Sequence, residues 1–207
     1  MIGICPRCGN YEWDKRVTGI TIECPKCGHT WPFQKLPLFI LSGCSGVGKT
    51  TTAQAIMQRA VDFVVLDGDM FHGILPTETE AERRNWIEQI LSLSKNIAQS
   101  GRPVLWTKAG CLDMFGSAYN RQFFTEIACL ALVCEETELR RRMSEGRHVT
   151  DQAWLDSSAD YNRYFMTHDR LADMPFETLD ITGKAPEEVA TQVIEWVYQR
   201  WHPMRVC

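Results

Sequence analysis

A glycine-rich octapeptide constrains this chain most strongly. Residues 43–50 read Gly-Cys-Ser-Gly-Val-Gly-Lys-Thr, which fits the pattern G-x-x-x-x-G-K-[ST]. The octapeptide follows an apolar run at 38–41, typical of a buried parallel strand, and precedes a helical pattern at 51–60. Such a loop wraps its amide groups around phosphates at the N-terminus of a helix, where the helix dipole also favours anions. The sequence therefore predicts a nucleoside triphosphate site.

Phosphate chemistry assigns expected roles to individual residues of this loop. Lys49 should bridge the β- and γ-phosphates, and the Thr50 hydroxyl should be a ligand of Mg²⁺. We expect the nucleotide to contact the whole loop and the start of the helix, namely Gly43, Cys44, Ser45, Gly46, Val47, Gly48, Lys49, Thr50 and Thr51.

Beyond the loop, strand and helix patterns alternate, which is typical of a parallel sheet with helices on both faces. The apolar periodicity predicts strands at 38–41, 63–66, 103–107, 129–134 and 176–181. It predicts helices at 51–60, 79–99, 117–127, from 135, at 151–170 and at 186–200. We therefore expect an α/β protein with a five-stranded, doubly wound parallel sheet.

Motif spacing separates the classes of protein that use such a loop. A switch GTPase needs an Asn-Lys-x-Asp motif, which is missing, and the Asp-x-x-Gly matches at 113–116 and 180–183 do not directly end a strand beside the loop. An ABC or helicase motor needs a strand that ends in Asp-Glu, and no Asp-Glu pair occurs. Instead, strand 63–66 ends in Asp67-Gly-Asp69. Because neighbouring parallel strands end at one crevice, both carboxylates should lie beside the γ-phosphate.

On these residues, the chain resembles the P-loop small-molecule kinases, which include nucleoside, nucleotide, gluconate, shikimate and adenylylsulfate kinases and antibiotic phosphotransferases. The resemblance covers residues 38–200. Besides the loop, it rests on 66–72 (Leu-Asp-Gly-Asp-Met-Phe-His), 100–104, 139–148 (Leu-Arg-Arg-Arg-Met-Ser-Glu-Gly-Arg-His) and 179–189. It implies the strand order 2-3-1-4-5 and a phosphotransferase that depends on ATP and Mg²⁺.

The same resemblance implies roles for two carboxylates and for a lid. Asp67 and Asp69 would orient the acceptor, take its proton or hold Mg²⁺, although such residues can also cap a turn. A short lid around 138–150 would place Arg142 over the adenine and Arg147 on the phosphates. The alternative for any one of these arginines is a solvent-facing ion pair with a glutamate of the same helix, which we expect for Arg140.

The acceptor is less well defined by sequence. Strand three ends in Trp106-Thr107-Lys108, without the acidic residue of many nucleoside kinases or the arginine of many nucleotide kinases. Five aromatic side chains are expected near the crevice, although core packing is the alternative for most of them: Phe71, Trp86, Trp106, Phe115 and Tyr119. Because aromatic faces suit a planar base, we favour a nucleoside or nucleotide acceptor over a sugar acid or an antibiotic hydroxyl.

Four of the nine cysteines fall into two similar motifs near the N-terminus, Cys5-Pro-Arg-Cys8-Gly and Cys24-Pro-Lys-Cys27-Gly. Each Cys-x-x-Cys turn offers two thiolates, so two turns supply the four ligands of a tetrahedral zinc site. Residues 3–33 thus resemble a zinc ribbon with Zn²⁺ bound by Cys5, Cys8, Cys24 and Cys27. A closed four-thiolate shell leaves no position for water, which indicates a structural zinc.

We therefore expect two domains, a zinc ribbon at 1–35 and a P-loop kinase domain at 36–207.

The formal net charge of −4 excludes a globally basic nucleic-acid-binding surface. The ribbon nevertheless carries basic and aromatic residues: Arg7, Tyr11, Trp13, Lys15, Arg16, Lys26 and Trp31. Binding of nucleic acid through the ribbon, with the kinase domain acting on polynucleotide ends or as an ATP switch, is thus the less favoured alternative.

Hydropathy also bears on location. No uninterrupted apolar run approaches the length of a membrane-spanning helix, and the N-terminus is polar where a signal peptide would be apolar. We expect a cytoplasmic protein without a membrane partner.

Overall fold

The computed structural model describes residues 2–202, and it begins with a small antiparallel sheet. This sheet contains β1 (Arg16–Thr18), β2 (Thr21–Glu23) and β3 (Thr30–Pro32), in that order. Ile22 of β2 is the central residue, since it pairs with Val17 on one side and with Trp31 on the other. The first Cys-x-x-Cys turn, at Cys5 and Cys8, precedes β1, and the second, at Cys24 and Cys27, connects β2 to β3.

The rest of the chain alternates strands and helices. In chain order these elements are β4 (Leu38–Ser42), α1 (Lys49–Met57), β5 (Val64–Asp67), α2 (Glu80–Ile97), β6 (Val104–Thr107), β7 (Ile127–Val133), α3 (Glu136–Arg141), α4 (Gln152–Thr167), β8 (Arg170–Leu171), β9 (Met174–Pro175), β10 (Glu177–Asp180) and α5 (Pro186–Arg200).

The main sheet has five parallel strands in the order β5-β6-β4-β7-β10. Numbered along the chain among themselves, these strands have the order 2-3-1-4-5, so the predicted fold class and strand order are confirmed. The central strand β4 is buried on both faces, which explains its unbroken apolar sequence. Leu38 and Ile40 face a core that includes residues of α2 and α4, whereas Phe39 and Leu41 face a core that includes residues of α1 and α5.

Local signals fix where the helices begin. Thr79 and Glu82 form a reciprocal capping box at the start of α2, and the Asp151 carboxylate caps α4. Pro186 occupies the first turn of α5, where its missing N–H is not needed.

The predicted helix at 117–127 is wrong. Residues Tyr119–Phe123 form a short 3₁₀ turn, and β7 begins at Ile127, two residues earlier than the predicted strand at 129. The backbone N–H groups of Tyr119 and Asn120 donate to the Glu88 carboxylate of α2, at 2.5 and 3.1 Å, instead of to a helical carbonyl. Tertiary hydrogen bonds thus replace the helix that local periodicity favours.

The predicted helix at 151–170 is too long, because α4 ends at Thr167. The next residues form the two-stranded hairpin of β8 and β9, in which Arg170 pairs with Pro175. The backbone N–H of Phe176 then donates to the Asp169 carbonyl at 2.9 Å, which closes the hairpin before β10.

The N-terminal ribbon packs directly on the main domain. Ile22 and Phe33 belong to the same buried apolar cluster as Leu38 and Trp106, and the rings of Phe33 and Phe123 meet edge to face, 5.8 Å apart. The predicted boundary between 35 and 36 stays a prediction, and residues 203–207 of the predicted second domain lie outside the described residues. Among residues 2–202, the helices are too short or too polar to cross a membrane.

Candidate active site

The phosphate loop connects β4 to α1, which begins at Lys49. Two of its glycines are required by close packing and by positive φ angles. At Gly43, with φ +131°, a Cβ atom would lie 2.6 Å from the Leu132 carbonyl oxygen, and at Gly46, with φ +77°, it would overlap Met143. A side chain at either position would therefore push the loop away from β7 or from the segment after α3.

Lys49 is folded over the loop that precedes it. Its ammonium group donates to the carbonyl oxygens of Gly43 and Cys44, at 2.9 and 2.8 Å. Burial lowers the pKa of Lys49, while the nearby carboxylates of Asp69 and Asp67 act in the opposite direction. Burial also raises the pKa of the Cys44 thiol to about 12, so this thiol stays protonated at neutral pH.

A cavity of about 1210 Å³ opens at the carboxyl ends of the parallel strands. Most of the predicted site residues line it: Ser45, Gly46, Gly48, Lys49, Thr50, Thr51, Asp67, Asp69, Arg142 and Arg147. Gly43, Cys44 and Val47 belong to the same loop, but they are buried and do not line the cavity. The structure thus brings the predicted nucleotide and acceptor residues to one cavity.

The ends of β5 and β6 place Asp67 at this cavity. One carboxylate oxygen, Oδ1, accepts from the Thr107 hydroxyl at 2.8 Å and from the backbone N–H of Asp69 at 3.0 Å. The other oxygen has no donor among the described residues. Asp69, in the turn that follows, is exposed. Asp67 is thus held rigidly, whereas Asp69 is free to follow a ligand.

The predicted lid arginines reach the phosphate loop. After α3 the chain makes a π-helical turn at Arg142–Gly146. Arg142 donates to the Val47 carbonyl at 2.7 Å and pairs with Glu138, and Arg147 donates to the Ser45 hydroxyl at 2.8 Å. Both guanidinium groups therefore lie at the rim of the site.

Arg140 makes the expected ion pair with a glutamate of its own helix, but it is half-buried instead of pointing into solvent. It pairs with Glu136 at 2.9 Å and with Asp156 at 2.8 Å, so it joins α3 to α4. The distant Asp156 could not be foreseen from helical spacing.

The prediction that aromatic side chains line the crevice is wrong for these residues. Trp106 and Phe115 are fully buried in the core, Phe71 stacks on Trp106 at 5.8 Å, and Tyr119 stacks on Trp13 of the ribbon at 6.0 Å. Trp86, like Phe71 and Tyr119, is partly buried against the same core, and none of the five aromatic side chains lines the cavity.

Sequence reasoning gave no functional role to three residues that line the cavity. Thr107 is the last residue of β6 and Lys108 follows it, and their position beside Asp67 is the available signal in the sequence. Trp154, in the first turn of α4, lies with its ring 5.5 Å from the Arg147 guanidinium and had no signal in the sequence.

The four predicted zinc ligands converge at the ribbon. The Sγ atoms of Cys5 and Cys27 are 3.7 Å apart, as are those of Cys8 and Cys24, and all four lie within 4.8 Å of one another. Tetrahedral coordination with Zn–S bonds near 2.3 Å requires sulfurs about 3.8 Å apart, so the donor set fits Zn²⁺. Although burial alone would raise the pKa of the Cys24 thiol, hydrogen bonds from Asn10 and from backbone amides lower it to about 6, which favours the thiolate.

The ribbon surface offers less to nucleic acid than its sequence suggests. Lys15 is buried and donates to Asp14 at 2.6 Å, Trp13 is stacked on Tyr119, and Trp31 is stacked on His29. The Lys15 carbonyl also accepts from Tyr119 and Gln122 of the main domain. Part of the predicted basic and aromatic set therefore holds the ribbon in place.

No protein-family model matches this chain, and no curated protein matches it either. Solved structures do match. A sugar kinase from Janibacter sp. is 18% identical with a TM-score of 0.58, over 79% of this chain and 94% of that one. A gluconokinase from Sinorhizobium meliloti is 18% identical with a TM-score of 0.54, over 82% and 99%. A shikimate kinase from Acinetobacter baumannii is 18% identical with a TM-score of 0.54, over 81% and 96%.

These similarities and the loop geometry define the class. The main domain has a P-loop nucleotide-binding fold. Within that class it has the fold of the small-molecule kinases.

Proposed function

We propose that the protein is an ATP- and Mg²⁺-dependent phosphotransferase that acts on a hydroxyl group of a small molecule in the cytoplasm. The observation that carries this proposal is that Lys49, Asp67 and Arg147 line one cavity at the carboxyl ends of the parallel strands. The known activities of similarly folded proteins, a sugar kinase, a gluconokinase and a shikimate kinase, support it.

The proposed reaction needs charge stabilisation and alignment. The acceptor oxygen forms a bond to the γ-phosphorus, the bond from that phosphorus to the β–γ bridging oxygen breaks, and ADP leaves. Lys49 and Arg147 neutralise the γ-phosphate oxygens as their charge develops, and Arg142 contacts the adenine end of ATP. The hydroxyl proton passes to Asp67, whose second oxygen has no protein donor among the described residues.

The residues at the loop also fit Mg²⁺. The Thr50 hydroxyl, at the start of α1 and on the cavity wall, would hold the ion, and Asp67 would do so through water. When bound, Mg²⁺ supplies positive charge to the phosphate oxygens. Asp69 would then be left to grip the acceptor.

The finer identity of the acceptor stays a proposal. The aromatic residues of the sequence favour a nucleoside or nucleotide acceptor, yet Trp106, Phe115 and Tyr119 are engaged in packing. A polar hydroxyl compound such as a sugar acid gains support from this burial. For the ribbon, we propose a structural zinc, because four cysteines fill a tetrahedral shell.

A substrate screen tests the proposed function. The full-length protein is incubated with Mg²⁺-ATP and with nucleosides, nucleoside monophosphates, sugar acids and aminoglycosides, and ADP formation is measured. We expect acceptor-dependent ADP release from at least one class, and none from a Lys49→Ala variant. ADP release that ignores every acceptor and survives Lys49→Ala would contradict the proposal.

A further inference from the structure

Lys108 occupies a fixed position beside the two carboxylates. It directly follows β6, and its backbone N–H donates to the Leu41 carbonyl of β4 at 3.0 Å. The residue is only 9% exposed, yet it lines the same cavity as Asp67 and Asp69. A cationic side chain thus lies in the part of the cavity where we propose that the acceptor binds.

Close packing fixes the stem of this lysine. A Cβ atom on Gly68 would lie 2.6 Å from the Thr107 carbonyl oxygen and 3.3 Å from Lys108 Cδ. The turn between Asp67 and Asp69 therefore lies against the lysine stem, and only glycine allows this approach.

The Lys108 ammonium group has no anionic partner among residues 2–202. No carboxylate of the described residues lies within 4.0 Å of Nζ, which lies over the Trp86 ring, 4.0 Å from the ring centroid. The Trp86 Nε1–H is itself a buried donor without an acceptor among the described residues. The face of the Trp86 ring attracts the ammonium group, but it supplies neither a negative charge nor an acceptor atom for the ammonium hydrogens.

The other two buried lysines each have a hydrogen-bond acceptor within the protein, whereas no hydrogen bond of the Lys108 ammonium group is found among the described residues. Lys15 pairs with Asp14, and Lys95 donates to Asn120 Oδ1 at 2.6 Å. Burying a cation without a hydrogen-bond acceptor is unfavourable, so such a group is retained where a ligand supplies the acceptor. Burial lowers the pKa of Lys108, whereas the charge of nearby Asp69 counteracts that shift.

We propose that Lys108 binds an anionic group of the acceptor, so that the substrate is a small hydroxyl compound that also carries a carboxylate or a phosphate. This inference rests on the proposed function. The carboxylates of Asp67 and Asp69 repel the anionic group of the acceptor and attract its hydroxyl group. Lys108 attracts the anionic group. The opposed charges orient the acceptor with its hydroxyl toward the γ-phosphate.

Calorimetry with matched probes tests this assignment without requiring turnover. The protein is saturated with Mg²⁺ and a non-hydrolysable ATP analogue, which fills the phosphate loop. Two pairs are then titrated, gluconate against sorbitol for a carboxylate, and thymidine monophosphate against thymidine for a phosphate. Lys108→Met removes the charge and Lys108→Arg keeps it, while Lys35→Met is the matched control, because Lys35 does not line this cavity.

In at least one pair, the anionic probe should bind about tenfold tighter than its neutral match, in the wild-type protein and in the Lys108→Arg and Lys35→Met variants. That preference should disappear in Lys108→Met. Equal affinities in both pairs, a preference that persists in Lys108→Met, or no binding of either anion to the analogue-loaded protein would overturn the assignment. Failure of the wild-type protein to bind the analogue would instead overturn the proposed function and this inference with it.

Discussion

The Thr107 hydroxyl donates a 2.8 Å hydrogen bond to Asp67 Oδ1 at the point where β5 and β6 end side by side. The bond occupies one carboxylate oxygen and leaves the other toward the cavity. Thr107 thereby sets the orientation of the carboxylate that we propose as proton acceptor, and it acts as a positioning residue.

Removing this hydroxyl should lower the rate of the proposed transfer without weakening nucleotide binding. We expect Thr107→Val to reduce kcat roughly tenfold, equivalent to about 1.4 kcal/mol of barrier, and to leave the KM for ATP unchanged. Thr107→Ser, which keeps the donor, should restore most of kcat. A Thr107→Val enzyme with a wild-type kcat, or a Thr107→Ser enzyme as slow as Thr107→Val, would count against the role.

The two carboxylates should respond differently to substitution because one is held and the other is exposed. We expect Asp67→Asn to lower kcat with little change in the acceptor KM, since the amide cannot take the proton. Asp69→Asn should mainly raise the acceptor KM. Steady-state kinetics with the acceptor found by screening would measure both. The reversed pattern would exchange the two roles, and wild-type kinetics in both variants would remove these residues from the site.

Substitutions of the two lid arginines should affect the kinetics more strongly than a substitution of Arg140. Arg142 and Arg147 contact the phosphate loop, so Arg142→Ala and Arg147→Ala should raise the KM for ATP or reduce kcat. Arg140 joins α3 to α4 through Glu136 and Asp156, so Arg140→Ala should lower the melting temperature slightly and leave the kinetics nearly unchanged. Equal, negligible kinetic effects at all three positions would place every one of these arginines outside the reaction.

The ribbon should contain one zinc ion per chain, and its loss should destabilise the main domain as well. Zinc binding contributes on the order of 10–16 kcal/mol to the folding of comparable peptides. Here Ile22 and Phe33 share a core with Leu38 and Trp106, so unfolding of the ribbon would expose that core. We expect elemental analysis to find zinc, and a strong chelator to lower the melting temperature of the whole chain. Full zinc content in a Cys24→Ser variant would contradict the four-cysteine site.

Much of this molecule could be predicted from its sequence because the decisive signals are local. The phosphate loop, the two cysteine turns and the buried strands each lie within a few consecutive residues. Other features depend on contacts between distant segments. These features are the burial of Trp106 and Phe115, the pairing of Arg140 with Asp156 and the absence of the predicted helix around Asn120. Composition and periodicity do not show which partner a side chain meets, so the burial of Lys108 without an anionic partner could not be predicted from the sequence.

The most direct measurement is transfer of the γ-phosphate of radiolabelled ATP, in the presence of Mg²⁺, to the acceptor found by screening. The wild-type protein should label the acceptor, and Lys49→Ala should do so on the order of 100-fold more slowly or not at all, because the charge at the γ-phosphate is no longer stabilised. Circular dichroism of the variant would establish that its fold is intact. Undiminished labelling of the acceptor by a folded Lys49→Ala variant would contradict the assignment of this cavity as a phosphotransfer site.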